Sequence, residues 1–119
     1  MLQASPGRVG RLPAVDVRVV ADDLIWASRL AAAVERAGAR PVRSGGDAVI
    51  VDLNGRGYDG VDAVAQASAS GRPTIAVGQH DDLATRRRAL AAGARRVFSY
   101  NKMHSDGAAV VADLIAGRF

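Results

Sequence analysis

The chain has 119 residues, 49% hydrophobic and 24% charged, with no cysteine and a formal net charge of +4. That length suits one domain with its own core, and the missing cysteines exclude disulfides and thiolate metal sites. No apolar run approaches the ~20 residues of a membrane span, the first residues lack a signal peptide's apolar segment, and aromatics at 4% with dispersed arginines speak against nucleic acid as a partner. The expected location is the cytoplasm.

Residues 1–14 are rich in Gly, Pro and Arg and have no period, so they read as a disordered or loosely attached leader, with the folded domain over 15–119. Asp16–Ala21 reads as the first strand. Leu24–Ala37 reads as a helix, with Leu24, Ala27, Leu30, Ala31 and Val34 at helical spacing and Gly38 as its stop. Asp23 is either its N-cap or a third carboxylate of an acidic pocket, and the cap is preferred. Pro41–Arg43 is a short, weak strand. Asp47–Asp52 is a buried strand whose β-branched run ends in a carboxylate. A helix follows from Asp59 or Gly60 to Ala69, then a strand over Pro73–Val77 and a helix over Asp81–Ala92 stopped by Gly93. Arg95–Ser99 is the fifth strand. Ser105–Ala116 is the last helix, with Ser105 as its N-cap. Strands alternating with helices predict an α/β fold with a parallel sheet covered on both faces.

Between the second and third strands only residues 43–46 are free, whereas a helical crossover needs roughly a dozen. No helix is expected there.

The chemistry-bearing residues gather at strand ends. Asp52 follows Val49-Ile50-Val51, and Asp22 and Asp23 follow the first strand. In open α/β sheets ligands collect at that edge, so these carboxylates suggest a small acidic pocket for a divalent cation or a phosphoryl group. Gly55, Gly57 and Gly60 lack the Lys-Ser/Thr of a P-loop and the dinucleotide spacing. No His/Cys cluster offers a zinc site. His80 reads as a solvated loop residue at a helix start. Arg86, Arg87 and Arg88 are successive helix positions about 100° apart, so one is expected near the packed face with a snorkelling stem and the rest on a solvated face or a docking surface. Trp26 is either core-facing or an interface anchor.

From Val17 to Leu114 the order of these pieces resembles the receiver domain of two-component response regulators, the CheY-like fold. Val20-Ala21-Asp22-Asp23 is similar to the family's acidic pair, Asp52 to its phospho-acceptor, Asp59-Gly60 to the opening of its next helix, and Ala92-Gly93-Ala94 to its turn before the fifth strand. The resemblance implies a doubly wound five-stranded sheet in order 2-1-3-4-5, with the second helix shortened or missing. It also implies a weak or vestigial Mg²⁺ site from Asp22, Asp52 and the Asn54 carbonyl. The family's switch hydroxyl falls on Gly78, and its lysine falls on Tyr100. The only lysine, Lys102, lies two residues later, and the first acid of the pair is Ala21.

These departures point to a degenerate receiver. Its expected role is a non-enzymatic signalling or protein-interaction module, not switched by aspartyl phosphorylation and needing no cofactor. Its expected surface is the helix over 81–92 with the fifth strand and last helix, offering Arg86, Arg87, Val97, Phe98 and Tyr100 to a protein partner or a second copy. The alternative is a phosphorylatable single-domain response regulator that uses Asp52 with Mg²⁺. Without a lysine, an acyl phosphate beside Asp22 faces like-charge repulsion.

Overall fold

The computed structural model describes residues 14–119; the expected leader lies outside the described residues apart from Ala14. The elements are β1 (Asp16–Val20), α1 (Leu24–Arg36), β2 (Arg40–Val42), β3 (Ala48–Asp52), α2 (Gly60–Ala69), β4 (Thr74–Gly78), α3 (Leu83–Ala91), β5 (Val97–Ser99) and α4 (Tyr100–Ile115). All strand pairs are parallel, in the order β2-β1-β3-β4-β5.

The two central strands, β3 and β4, are buried along their whole length, as continuous β-branched runs in a sheet covered on both faces should be. Alternate side chains divide between two cores. Val17, Ile50, Ile75 and Val77 pack with Leu30 and Val34 of α1 and with Val110, Val111 and Leu114 of α4. Val49, Val51, Ala76 and Val97 pack with Val64 and Ala67 of α2 and Ala89 of α3. Each fully buried Val, Leu or Ile contributes about 1.5–3 kcal/mol. The helix starts follow from side-chain caps. Asp23 accepts from the Trp26 amide, Asp59 from that of Asp62 and Asp82 from that of Thr85.

No helix lies between β2 and β3, as expected. The register explains how so short a crossover closes. Val42, the last residue of β2, is level with Arg18, whereas Ala48, the first of β3, is level with Val17. The chain therefore steps back one residue and crosses a single strand, a distance of about 10 Å. Gly45 and Gly46 make this passage at positive φ, and a Cβ on Gly46 would sit 3.0 Å from the Arg18 backbone nitrogen. The Arg18 and Arg72 side chains donate to the carbonyls of Gly45 and Gly46, each at 2.8 Å. They secure a loop that has no helix to hold it down.

The boundaries at the C-terminal end differ most from the sequence reading. β5 spans only Val97–Ser99, and the last helix starts at Tyr100 with Ser99 as its N-cap, accepting from the Lys102 amide. The Ser105 hydroxyl instead donates back to the Asn101 carbonyl inside that helix. Asp106 has non-helical angles (φ −128°, ψ 24°), so α4 is kinked where the sequence reading started it. The apolar period is legible only beyond that kink.

Candidate functional site

Asp52 ends β3, and its side chain is 1% exposed. Its Oδ1 accepts the Asn54 backbone N–H at 3.0 Å and the hydroxyl of Tyr100. The same phenol oxygen lies 2.9 Å from the Asn54 side-chain oxygen Oδ1. A phenol has one proton, and a carboxylate is the stronger acceptor. Three of the expected site residues, Asp52, Asn54 and Tyr100, thus meet in one hydrogen-bonded group. Tyr100 is the first residue of α4, so the contact ties the end of β3 to the start of the last helix. Its ring packs against Trp26, centroid to centroid 4.6 Å, and the Arg29 guanidinium covers the indole at 5.2 Å. Trp26 is therefore a half-buried wall of this site and packs on the α1–α4 core. Burial, then the hydrogen bond to Asp52, pushes the Tyr100 phenol well above its ordinary pKa. It stays protonated and donating.

Tyr58 is the residue that the sequence reading passed over. Its hydroxyl lies 2.6 Å from the Asp52 carbonyl and 3.0 Å from that of Val20, bridging the ends of β3 and β1. Burial, followed by the charges of Asp52 and Asp22, raises its pKa too. Gly55 makes room for it, because a Cβ there would collide with the Tyr58 ring. The local signal was the juxtaposition of that glycine and the tyrosine in one loop.

Asp22 has a different fate. It is exposed, and its carboxylate accepts the backbone N–H groups of Gly57 at 2.6 Å and Arg56 at 3.1 Å. These bonds, Gly57 first, hold its carboxyl below the usual carboxylate range. Asp23 is the α1 cap. Among the described residues no group of three or more His, Cys, Asp or Glu side chains is placed to hold a metal ion. Asp22 is bound by backbone amides, and Oδ1 of Asp52 by a phenol and the Asn54 amide. The residues present fit a divalent cation poorly, since Mg²⁺ requires near-octahedral oxygens that are free to coordinate.

Gly78 ends β4 beside Asp52. The Leu53 side chain fills the space above it, with Cδ1 3.2 Å from where a Cβ would stand. Of the expected outer surface, Val97 is buried in the α2–α3 core and Tyr100 is engaged by Asp52. Phe98 packs on Phe119, and Arg96 lies over that ring. The run at Arg86, Arg87 and Arg88 is exposed throughout, so no arginine snorkels along the packed face. The inner face of this nine-residue helix is narrow, and Ala89 is its only buried residue. His80 is an exposed loop residue. No described helix is long and apolar enough to cross a membrane.

No protein-family model and no curated protein matches the chain. Solved structures do. The beryllofluoride-activated receiver domain of DrrB, a Thermotoga maritima response regulator, superposes with a TM-score of 0.76 at 14% identity, over 87% of this chain and 99% of that one. A response regulator receiver protein from Burkholderia phymatum gives 0.70 at 22% identity, over 86% and 95%. A Burkholderia pseudomallei response regulator with a phosphorylated aspartic acid and a calcium ion gives 0.68 at 16% identity, over 87% and 71%. With five parallel strands in order 2-1-3-4-5 and four helices among the described residues, and a buried aspartate closing the third strand, the chain has the CheY-like receiver fold of two-component response regulators.

Proposed function

We propose that this chain is a degenerate receiver, a non-enzymatic signalling module whose Asp52 is a structural acceptor and not a phospho-acceptor. The observation that carries this reading is the Tyr100 hydroxyl on Asp52 Oδ1. Phosphorylation needs a nucleophilic carboxylate oxygen, a cation to gather the phosphoryl oxygens and a counter-charge for the product. Here a neutral phenol stands where the family's lysine is expected. The switch position is Gly78, and the carboxylate that would help hold Mg²⁺ is bound to the Arg56 and Gly57 amides. Any Mg²⁺ binding by Asp22, Asp52 and Asn54 is therefore weak. Output passes to a protein partner, through the exposed part of the surface around α3.

Incubation with acetyl phosphate and Mg²⁺, followed by intact mass measurement, tests the reading. The expected spectrum shows the unmodified chain. A stable adduct of one phosphoryl group that disappears in D52N would establish the alternative, a phosphorylatable single-domain response regulator.

A further inference from the structure

β2 stops early, and the edge it leaves bare is used neither by the core nor by the Asp52 site. Its three residues end at Val42, level with Arg18, while β1 runs on to Val20 and still pairs with β3 there. The Arg40 amide donates to the Val15 carbonyl, and the Asp47 amide donates to the Asp16 carbonyl. Odd-numbered residues of β1 therefore turn their backbone groups toward β2, and even-numbered ones toward β3. The Val19 carbonyl and the Ala21 amide face the vacated side. Neither has a hydrogen-bond partner among the described residues, although both residues are half-buried. Unpaired groups on a strand edge are a template for another extended chain.

In front of them lies a groove of about 700 Å³, within the range of small-ligand sites. One wall is α1, where Ala27, Ser28 and Ala31 are small enough to leave room, and the other is Pro41 and Val42. Two opposite charges stand along it. Arg43, one step past Val42, leaves the strand near the level of Val19, and Asp22 lies three residues farther on, roughly 10 Å. Neither side chain forms an ion pair among the described residues. The Arg56 and Gly57 amides use only part of the acceptor capacity of Asp22, because a carboxylate has about four lone-pair sites.

We infer that this groove binds a short, extended apolar peptide antiparallel to β1, with its N-terminal ammonium at Asp22 and its C-terminal carboxylate at Arg43. The peptide takes the place of the missing end of β2. Its backbone donates to the Val19 carbonyl and accepts from the Ala21 amide. In this mode of recognition backbone bonds supply affinity, and alternate side chains supply specificity. Length follows from the two charges, since roughly 10 Å is the span of about three extended residues. Orientation follows from them too. A parallel peptide sets ammonium against Arg43 and carboxylate against Asp22, and like charges so juxtaposed are costly. The apolar walls select apolar side chains, and the fork of Arg43 suits a terminal carboxylate.

The test is an amide NMR titration of the full chain with the free tripeptide Val-Ala-Val. The same peptide with acetylated and amidated ends, and a version N-methylated at its amides, are titrated in parallel. The expected result is shifts confined to residues 19–31 and 41–43, with the Ala21 amide proton moving downfield as it gains an acceptor. The N-methylated peptide should not bind. Blocking the ends should weaken binding, and Arg43→Gln should weaken it about threefold to fivefold, the scale of one exposed ion pair. Ser28→Trp should abolish it by filling the groove. Ser28 is exposed, so an unchanged spectrum away from the groove verifies that this variant folds. Absent shifts, shifts centred elsewhere, equal binding of the blocked or N-methylated peptide, or full affinity in Ser28→Trp would each overturn the proposal. So would shifts at the same residues that grow with protein concentration and no peptide, because a second copy would then be the occupant.

Discussion

Asp22 and Asp52 carry the same local signature, a carboxylate just after a β-branched parallel strand, and the fold treats them in opposite ways. Asp22 stays at the surface and is held by two backbone amides of the loop after β3. Asp52 is buried and is held by a side chain from α4, 48 residues away in sequence. The first contact fastens a loop to the neighbouring strand. The second joins the centre of the sheet to the last helix. The difference teaches that a strand-end aspartate acquires its role from the donors that converge on it. The tyrosine that reaches Asp52 ties the end of β3 to the start of α4.

The largest expected effect is at the buried member. Asp52→Ala strands the Asn54 amide and leaves the Tyr100 hydroxyl only the Asn54 side-chain oxygen as acceptor, which should cost about 1–3 kcal/mol in urea unfolding. If Asp22→Ala is equally destabilising, the contrast between the two residues is lost.

Next comes the coupling. Tyr100→Phe removes the donor but keeps the ring against Trp26, so the expected loss is about 1 kcal/mol. Combined with Asp52→Ala it should add little, because both changes break one hydrogen-bonded group. Strict additivity would mean that the two side chains do not act as a unit.

Alkaline stability separates the tyrosine-bridged edge from the rest of the fold. Tyr58 and Tyr100 both have folded-state pKa values raised above the ordinary 10.0. Their contribution is fully present below that unfolded-state value and is lost as pH rises from there through the folded values. Tyr58→Phe/Tyr100→Phe should therefore flatten the decline in stability above about pH 10, the unfolded-state phenol value. Phenolate absorbance provides the check: in the wild type it should rise together with unfolding, and early titration in the native state would contradict the burial argument.

The smallest effect concerns Asp22. Its folded-state pKa lies below the ordinary 3.8, so its contribution is present above that value and disappears as pH falls through the lower folded one. Asp22→Asn should lower stability slightly at neutral pH, where the contribution is present, and leave the acid limit nearly unaffected, so that the acid limb of the stability–pH curve becomes shallower. A loss of the same size at acid pH, below the folded-state value, would show that Asp22 acts through something other than its charge on the 56–57 amides.

Much of the fold is local and was legible for that reason. The strand runs, the cap at Asp23, the helix start at Asp59 or Gly60 and the lack of room for a second crossover helix all follow from neighbouring residues. What stayed hidden depends on register or on contacts across the chain. The step back from Val42 to Ala48 is a property of three aligned strands. Ser99 caps α4, but the kink at Asp106 divides that helix, so its first turn shows no period and Ser105 looked like the start. At the site, Asp52 could be named from its strand, and Asn54 and Tyr100 from the resemblance to receivers. That the phenol of Tyr100 would bond to Asp52, and that Tyr58 would span Val20 and Asp52, required the folded sheet. One arginine of the run at 86–88 was expected near the packed face because successive positions 100° apart had to be assigned without knowing how narrow the packed face of α3 is.

In the proposed reading Asp52 is held by Tyr100 and has no second state to switch into. A ligand shifts an equilibrium only by its differential affinity for two states. The most direct measurement is an amide NMR spectrum with and without beryllofluoride and Mg²⁺. The account predicts a spectrum essentially unchanged in β5 and the first half of α4, residues 97–106. Large shifts that spread from Asp52 through Tyr100 into that segment, and that vanish in D52N, would contradict it.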